Sequence, residues 1–457
     1  MTTLVKPHLD SPVTSPQDLI DYLARGARTP ATRGIGTEME KLVLDAKSGE
    51  AAPYARIETL FEKLEQTGNW RGIRENDHLI ALVGQTSSIT LEPGGQLELS
   101  GQLCPDIHCC CADFFHHIEQ ILAQAEPLGL CFLGLGVQPF TPLEQIDWLP
   151  KARYQVMGPY MLRTGDMGQR MMKQTAGLQV NLDYADETDC IEKLRLGLAI
   201  APVLYALFAN SPIMEGRPTG FLSTRGEIWS RTDPDRTGLL PALFREGAGF
   251  GTYVEYALDV PMYFIVRDGR LQNFTRERIT FRRYLAEGHQ GFRPTLGDWD
   301  QHLSTLFPEV RLRPQIEFRP PDSLPPHLTL SVAALVKGLL YDDAARQEAW
   351  SLFKNQDDAA RDTLYRQSWR LGLRTPMEGR TLREVALDLL GISRGGLRRQ
   401  QRMNLRGLDE SLFLDGIEEI ADSGITLAER VLARWQGSRA EKLAMLKEHC
   451  GFRPAVP

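Results

Sequence analysis

Cysteine is scarce in this chain: 457 residues contain seven, an odd number and too few to hold a fold of this length together by disulfides. Three of them, Cys109, Cys110 and Cys111, are adjacent, which suits neither separate disulfides nor the CxxC spacing of zinc sites. The pattern predicts ordinary reduced thiols and therefore a reducing compartment, most simply the cytoplasm.

Long apolar runs are also missing. The most apolar stretch, 196–209, is interrupted by Pro202 and is shorter than the roughly 20 residues that span a bilayer, so it predicts a buried helix. The first seven residues contain no apolar segment of the length found in signal peptides. We therefore expect neither a targeting segment nor a membrane partner.

Positive charge does not dominate, because 52 Lys and Arg face 59 Asp and Glu for a net charge of −7. This balance argues against a nucleic-acid partner. The content of 42% hydrophobic and 24% charged residues is that of a globular protein and excludes disorder. Glycine-rich nucleotide loops are absent too: no GxxxxGK[ST] occurs, and Gly134-Leu135-Gly136 lacks the third glycine of a dinucleotide fingerprint.

The patterns that are present alternate between strand and helix over the first two-thirds and become helical in the last third. Connections of unequal length, with no regular βαβ rhythm, predict an α+β fold with a mostly antiparallel sheet. We expect one domain over 1–457, with an N-terminal helix and lead-in at 1–33, a sheet-bearing core at 34–325 and a helical part at 326–457. Within the core, 256–267 and 270–274 are predicted to form a hairpin, and 310–318 a single strand.

Carboxylates stand out on the predicted strands. Glu38 and Glu40 share one face of the strand at 34–44, about 7 Å apart by strand rise. Side by side they repel each other unless one is protonated or a cation lies between them. An isolated pair of this kind is typical of a solvated strand face. However, Glu92 and Glu98 repeat the motif among apolar residues, on either side of a sharp Pro-Gly-Gly turn.

Two more strands have a densely polar face. On the predicted strand 178–183, alternation places Gln179, Asn181 and Asp183 on one face. On the predicted strand 310–318 and the residue after it, alternation places five polar residues on one face: Arg311, Arg313, Gln315, Glu317 and Arg319. Glutamates with few histidines and no cysteine nearby favour Mg²⁺ or Mn²⁺ over zinc. Carboxylates that hold metal ions, together with arginines, suit a polyphosphate. The residues therefore predict ATP bound without a P-loop.

Eight blocks along the chain, in this order, resemble the glutamate–cysteine ligases of plant and proteobacterial type: 36–41 (GTEMEK), 91–101 (LEPGGQLELSG), 150–154 (PKARY), 179–183 (QVNLD), 208–212 (FANSP), 233–238 (DPDRTG), 256–264 (YALDVPMYF) and 307–312 (FPEVRL). The resemblance covers about 34–342. It implies a glutamine-synthetase-like curved sheet that forms a funnel, with helices packed outside.

The resemblance also implies a reaction. ATP would phosphorylate the γ-carboxylate of L-glutamate in the presence of Mg²⁺ or Mn²⁺, and the amine of L-cysteine would then displace phosphate, the first step of glutathione biosynthesis. We expect a monomer or homodimer.

Carried over position by position, the resemblance implies roles for individual residues. The metal ligands would be Glu38, Glu40, Glu92, Glu98 and Glu317. Arg319 would act with Glu317 on the transferred phosphoryl group, and Gln179 and Asn181 would contact the nucleotide or metal-bound water. The substrate contacts would be Arg153, Arg225, Tyr263 and Arg236. Two simpler interpretations stay open: Arg236 could pair with Asp233 or Asp235, and Tyr263 could be a core residue.

The chain departs from the family at three places, one of which is Thr175-Ala176-Gly177 in place of a commoner Thr-Cys-Thr. No cysteine occurs in 265–306, so the thiol switch of the plant members cannot operate there. After Arg319 the chain reads Pro320-Pro321-Asp322, where the family usually has Gly-Ala-Asp. The metal and phosphate residues are intact, but the acceptor amine is left open. The alternatives are a γ-glutamyl ligase with another acceptor or for another thiol pathway, and a non-catalytic homologue that binds nucleotide or amino acid.

Overall fold

The structure, a computed structural model, describes residues 9–453. The first seven residues, where we expected no leader, lie outside this range. The α+β prediction is confirmed: the centre of the fold is a nine-stranded sheet in which every pair of neighbouring strands is antiparallel. The division at 33 and 325 stays a prediction.

The strands of the main sheet come from the first 320 residues: β1 (Ile35–Asp45), β2 (Arg71–Glu75), β3 (His78–Val83), β4 (Ser88–Leu91), β5 (Leu97–Ser100), β6 (Leu130–Leu133), β7 (Leu178–Leu182), β14 (Val310–Leu312) and β15 (Ile316–Phe318). The remaining strands form two-stranded pairs: β8 (Ile213–Met214), β9 (Arg217–Pro218), β10 (Thr237–Gly238), β11 (Phe264–Arg267), β12 (Arg270–Asn273), β13 (Phe307–Pro308), β16 (Pro376–Met377) and β17 (Arg380–Thr381).

Helices surround the sheet and make up most of the chain after residue 325. They are α1 (Pro16–Ala24), α2 (Tyr54–Gln66), α3 (Ile107–Ala125), α4 (Ala152–Thr164), α5 (Gly168–Gln174), α6 (Glu187–Leu207), α7 (Thr224–Ser230), α8 (Phe250–Asp259), α9 (Phe281–Glu287), α10 (Leu296–Leu303), α11 (Thr329–Leu340), α12 (Asp343–Ser351), α13 (Asp358–Leu371), α14 (Leu382–Gln400), α15 (Asp415–Ser423), α16 (Leu427–Ala433) and α17 (Arg439–Cys450).

Strand β1 organises the sheet, whose order is β14-β15-β7-β1-β5-β4-β3-β2 with β6 beside the second half of β1. Its first half pairs with β7 on one side and β5 on the other, and its last four residues pair with β6. Successive side chains of β1 alternate between the two faces of the sheet. One face is covered by apolar helices, and the other contains the polar side chains.

Helices α6 and α11 cover the apolar face. All twelve residues of α11 are buried, and so is nearly all of α6, which confirms the buried helix expected at 196–209. A helix that is apolar all round must be covered on every side, and these two lie between the sheet and the outer helices α13 and α14. Among the helices of residues 9–453, none is both long and apolar enough to cross a bilayer.

The prediction of one strand over 310–318 is wrong. The segment is a hairpin, in which Arg311 pairs with Glu317 across β14 and β15 and the Arg313 N–H donates to the carbonyl of Gln315 (2.8 Å). Pro314 lies at the turn, because proline has no N–H to give to a ladder. The predicted common face survives, since cross-strand partners in a hairpin point to the same side of the sheet.

Three other predictions need correction. The expected strand at 256–267 starts only at Phe264, because its first residues belong to α8. Helical periodicity predicts one helix over 425–446, but the structure has two: α16 ends at Ala433, and α17 begins after its N-cap Ser438, which follows Gly437 with a φ of +83°. Strands β2 and β3 were not predicted.

The cysteines also differ from the expectation of separate thiols. Cys104 and Cys109 form a disulfide, with 5.7 Å between their Cα atoms, a separation typical of disulfides. Helix α3 causes this proximity: Asp106 caps it by accepting from the Cys109 N–H (2.8 Å). The first turn of the helix thereby brings Cys109 back towards Cys104. Cys110 and Cys111 are free.

Candidate active site

The polar face of the sheet borders a cavity of about 320 Å³. Eight of the residues predicted for the site line it: Glu38, Glu40, Glu92, Glu98, Arg153, Gln179, Glu317 and Arg319. They come from strands β1, β5, β7 and β15, the turn after β4 and helix α4. Motifs up to 281 residues apart in sequence therefore meet in one place, as the resemblance implied.

Four glutamates form one side of this cavity, which we call the carboxylate wall (Glu38, Glu40, Glu92 and Glu98). Strand pairing brings them together: Glu40 is directly opposite Glu98 on β5, and Glu38 is opposite Gln179 on β7. The two-residue period of β1 keeps its two glutamates on one face. Glu92 lies just beyond β4, next to β5 in the sheet.

Three glutamates of the carboxylate wall, Glu38, Glu40 and Glu92, have raised pKa values. Burial and the charges of Glu98 and Glu317 raise the pKa of Glu38 to about 7. Burial and the charges of Glu92 and Glu98 raise the pKa of Glu40 to about 8. The pKa of Glu92 is also above its usual value, because of burial and of Glu98. Buried like charges of this kind favour binding of a proton or a cation.

Neutral donors orient these carboxylates. The Gly177 N–H and the Gln179 side chain donate to Glu40, the latter at 3.4 Å, and Asn181 Nδ2 donates to Glu38 Oε1 (3.1 Å). The hydroxyls of Thr90 and Ser100 donate to Glu98 Oε1 at 3.1 and 2.8 Å. These bonds fix the oxygens in position.

The side of the cavity formed by β14, β15 and the adjoining residues carries the opposite charge, and we call it the arginine wall (Arg311, Arg313 and Arg319). Arg311 donates to both oxygens of Glu317, at 2.7 and 2.8 Å from Nη2. Arg319 donates to the same carboxylate and to Gln179 Oε1 (2.9 Å). Burial would raise the pKa of Glu317, but these two guanidinium groups lower it well below its usual range.

Two further cations line the cavity next to α4. Lys151 Nζ donates to the carbonyl of Leu91 (2.9 Å), and burial lowers the pKa of Lys151 to about 8. The guanidinium of Arg153 packs over the rings of Tyr154 and Phe264, and its buried Nε–H has no hydrogen-bond partner among the residues the structure describes. A buried donor left unpaired is costly, so Arg153 is suited to receiving an anion.

Four predicted residues do not line the cavity. Asn181 does not border the cavity itself, but it donates a hydrogen bond to Glu38, which does. Arg225 donates to the main-chain carbonyls of Arg319 (3.0 Å) and Pro320 (2.9 Å).

Arg236 is fully buried and pairs with Asp233 (2.8 Å), the interpretation that the sequence left open. Its guanidinium packs on the ring of Tyr263 at 3.8 Å, and Tyr263 is itself a core residue. Substrate contacts by Arg225, Arg236 and Tyr263 stay predictions.

Sequence reasoning assigned no role to several residues that line the cavity, among them Lys151, Trp229, Arg311 and Arg313. For the two arginines a signal existed, because alternation placed them on the same face as Glu317. Lys151 is two residues before Arg153 in the same block. Trp229 lies on α7, one helical turn after Arg225. No pattern in the amino-acid sequence indicated that Trp229 lines the cavity.

The donors of the carboxylate wall are of the type that Mg²⁺ and Mn²⁺ prefer, hard carboxylate oxygens without thiolate or imidazole. Within residues 9–453, however, no three carboxylate, imidazole or thiolate side chains converge closely enough to count as a preformed metal site. The five-glutamate ligand set therefore stays a prediction, supported by the type of donor and by the raised pKa values of Glu38, Glu40 and Glu92.

Comparison with known proteins agrees with this arrangement. Residues 34–449 match the model of the glutamate-cysteine ligase family 2 (GCS2). The chain is 41% identical over 424 residues to a chloroplastic glutamate–cysteine ligase of Medicago truncatula, covering 92% of this chain and 82% of the relative. It is 42% identical to the corresponding enzyme of Arabidopsis thaliana, covering 92% and 80%.

Among solved structures, the fold resembles a glutamate–cysteine ligase of Francisella tularensis in complex with AMP. The TM-score is 0.55 at 12% identity, over 91% of this chain and 88% of the other. At this identity the likeness concerns the fold alone.

The same relatives contradict one expectation, the cytoplasmic location, because they are named as chloroplastic enzymes. That expectation rested on the low number of cysteines, which indicates a reducing environment but does not distinguish one reducing compartment from another. The resemblance recognised from the eight blocks is confirmed: the chain belongs to the glutamate–cysteine ligase family 2.

Proposed function

We propose that the protein is a glutamate–cysteine ligase, which joins the γ-carboxylate of L-glutamate to the amine of L-cysteine at the expense of ATP, the first step of glutathione biosynthesis. The observation that carries this proposal is identity of 41% and 42% to enzymes of that name over 92% of the chain. The cavity with its two walls lies inside the matched region.

The charges of the cavity fit the chemistry of this reaction. A bare carboxylate does not form an amide, so the γ-carboxylate of glutamate first attacks the γ-phosphate of ATP and releases ADP. The amine of cysteine then attacks the resulting acyl phosphate, and inorganic phosphate leaves. Glutamate, triphosphate and acyl phosphate are all anions, and a site that stabilises them needs fixed positive charge around the reacting group.

We propose that the carboxylate wall, with Glu317, holds Mg²⁺ or Mn²⁺. The metal would supply charge neutralisation at the phosphate oxygens of ATP. This use accounts for the raised pKa values of Glu38 and Glu40, because a divalent cation would remove the repulsion that raises them. Gln179 and Asn181 would keep the carboxylates oriented, as their hydrogen bonds to Glu40 and Glu38 do.

We assign the transferred phosphoryl group to Arg319. Its guanidinium is tied to Glu317 and Gln179, so it is held in place before the substrate arrives. A positioned arginine stabilises the charge that develops on the phosphoryl oxygens during transfer. For a carboxylate of glutamate we propose Arg153, since it lines the cavity with an unpaired donor. Arg225 would have to leave two carbonyls to do the same.

An acceptor assay tests the proposal. The purified protein is incubated with glutamate, ATP and Mg²⁺ and with a panel of amines in turn, and products are identified by mass spectrometry together with the release of ADP. We expect γ-glutamylcysteine, with cysteine the preferred acceptor. Turnover with another amine and no gain on adding cysteine would support a ligase of different acceptor. Absence of ATP turnover with every amine would support the non-catalytic homologue. The Arg319→Ala variant serves as the background control.

A further inference from the structure

A second cavity lies outside the candidate active site. Its volume is about 230 Å³, below the range of roughly 300–1,000 Å³ that is usual for drug-sized ligands. Its wall is built by β10, the segment 239–244 and helix α13. The two cavities share no lining residue, and the β10–β13 pair lies between them: Thr237 of β10 lines the second cavity, while its partner Phe307 of β13 lines the first.

A buried arginine with one unbonded N–H group lines this second cavity. Arg361 is 8% exposed, its guanidinium packs over the ring of Phe244 at 4.0 Å, and its Nε–H has no hydrogen-bond partner within residues 9–453. The rest of its guanidinium makes one long hydrogen bond, at 3.4 Å, to the carbonyl of Phe353. Because an unpaired buried donor costs free energy, this guanidinium is suited to receiving an acceptor from a ligand.

A carboxylate oxygen without a hydrogen bond lines the same cavity. Asp358 Oδ2 accepts from Arg245, whereas its buried Oδ1 accepts no hydrogen bond from residues 9–453 and forms only a long ion pair, at 3.7 Å, with Arg361 Nη1. The remaining charges cancel, since Arg366 pairs with Asp362 at 2.8 Å. The lining charges thus sum to zero, with one donor and one acceptor unsatisfied.

These features select one class of ligand. A phosphate or nucleotide would meet two aspartates, and a simple carboxylate would leave Asp358 Oδ1 without a hydrogen bond. An α-amino acid offers a carboxylate to Arg361 and an ammonium group to Asp358, both as charge-assisted hydrogen bonds. The other lining residues include Phe244, Leu239 and Pro241, which suit an apolar side chain.

We propose that this cavity is a second binding site, which takes an α-amino acid with an uncharged side chain. The site is independent of the ligase reaction, because its residues take no part in either wall of the candidate active site. Binding is therefore measured directly and without turnover.

Isothermal titration calorimetry on the full chain tests the proposal with L-valine and L-leucine as probes. We expect a Kd of about 1 mM or tighter for at least one of them. Valinamide, which lacks the carboxylate, 3-methylbutyrate, which lacks the ammonium group, and inorganic phosphate should each bind at least about tenfold more weakly, a difference that each lost charged contact can produce.

Variants locate the binding. Arg361→Gln and Asp358→Asn should each weaken binding of the amino acid at least about tenfold, whereas Arg153→Gln in the first cavity should leave it unchanged. If Arg361→Gln does not fold, Asp358→Asn decides alone, because that side chain is partly exposed. No binding of either amino acid, equal binding of 3-methylbutyrate, or loss of binding in Arg153→Gln only would overturn the proposal.

Discussion

The two walls of one cavity differ in how their charges are balanced. In the carboxylate wall, Glu40 lies opposite Glu98 and accepts from the neutral donors of Gly177 and Gln179, and the pKa values of Glu38 and Glu40 are raised. In the arginine wall, Glu317 is bound by two guanidinium groups and its pKa is lowered. The same residue type thus has opposite electrostatic character across a few strands of one sheet.

This difference indicates what each wall is for. In the arginine wall Arg311 and Arg319 share the single carboxylate of Glu317, and the positive charge left over there suits an anion. In the carboxylate wall the pKa values of Glu38, Glu40 and Glu92 are raised, and a cation bound there would relieve the repulsion that raises them. Removing a charge should therefore have opposite effects on stability in the two walls.

The largest effect is expected for Arg319→Ala. Loss of the guanidinium that faces the phosphoryl group should lower kcat by about 1,000-fold, as for other arginines that stabilise phosphoryl transfer. KM for ATP should change little, since the charge that matters develops in the transition state. Steady-state kinetics with each substrate varied in turn measures both. A kcat within tenfold of the parent would exclude Arg319 from the transfer step.

A smaller loss is expected for Glu40→Gln or Glu38→Gln. Turnover should fall by about 100-fold, comparable to the loss of one strong electrostatic contact, and the Mg²⁺ requirement should rise. Without Mg²⁺, however, the midpoint of thermal unfolding should rise, because one of several repelling carboxylates is gone.

Glu119 is an exposed glutamate on α3, and its variant Glu119→Gln serves as the matched control. We expect it to change neither activity nor stability. Activity near that of the parent protein after Glu38→Gln would remove Glu38 from the ligand set. A lower unfolding midpoint without Mg²⁺ would contradict the interpretation of the carboxylate wall as a set of repelling carboxylates.

Arg225→Ala distinguishes two roles for a buried arginine that lies outside the cavity lining. The resemblance predicts a carboxylate contact and hence a higher KM for glutamate with kcat unchanged. The hydrogen bonds to the carbonyls of Arg319 and Pro320 predict instead a positioning role. We expect the second outcome: a loss of about 1–3 kcal/mol in unfolding free energy, for two buried acceptors left unpaired, together with a lower kcat. Urea unfolding and kinetics measure the two, and a change in KM for glutamate alone would restore the first role.

The smallest effect concerns a titrating group outside both walls. His302 on α10 is fully buried, its Nε2 bonds to the carbonyl of Ala257 (2.8 Å), and burial lowers its pKa to about 3. Below a pH of about 6.5 the unfolded chain binds a proton there and the folded protein does not. Because only the unfolded chain gains this proton, the free energy of unfolding decreases as the pH falls from about 6.5 towards 3. His302→Gln should flatten the dependence of unfolding free energy on pH in that range. An unchanged slope would contradict the assignment.

Sequence reasoning succeeded where a short period or a motif determines the outcome. The two-residue period of strands placed Glu38 with Glu40 and Arg311 with Glu317 on common faces, and the second result survived although the strand is a hairpin. It failed where tertiary contacts decide. The Pro-Glu turn predicts an exposed Glu309, which is wrong: the side chain is 4% exposed, and Tyr205 and Tyr365 donate to it from α6 and α13. Similarly, nothing in the spacing of Cys104 and Cys109 revealed the turn that joins them.

The most direct test of the two-wall account is a crystal structure of the protein with Mn²⁺ and a non-hydrolysable ATP analogue, in which anomalous scattering locates the metal. The account predicts manganese bound by oxygens of the carboxylate wall and Glu317, with the terminal phosphate beside Arg319. Manganese bound elsewhere, or the terminal phosphate held away from Arg319, would contradict it.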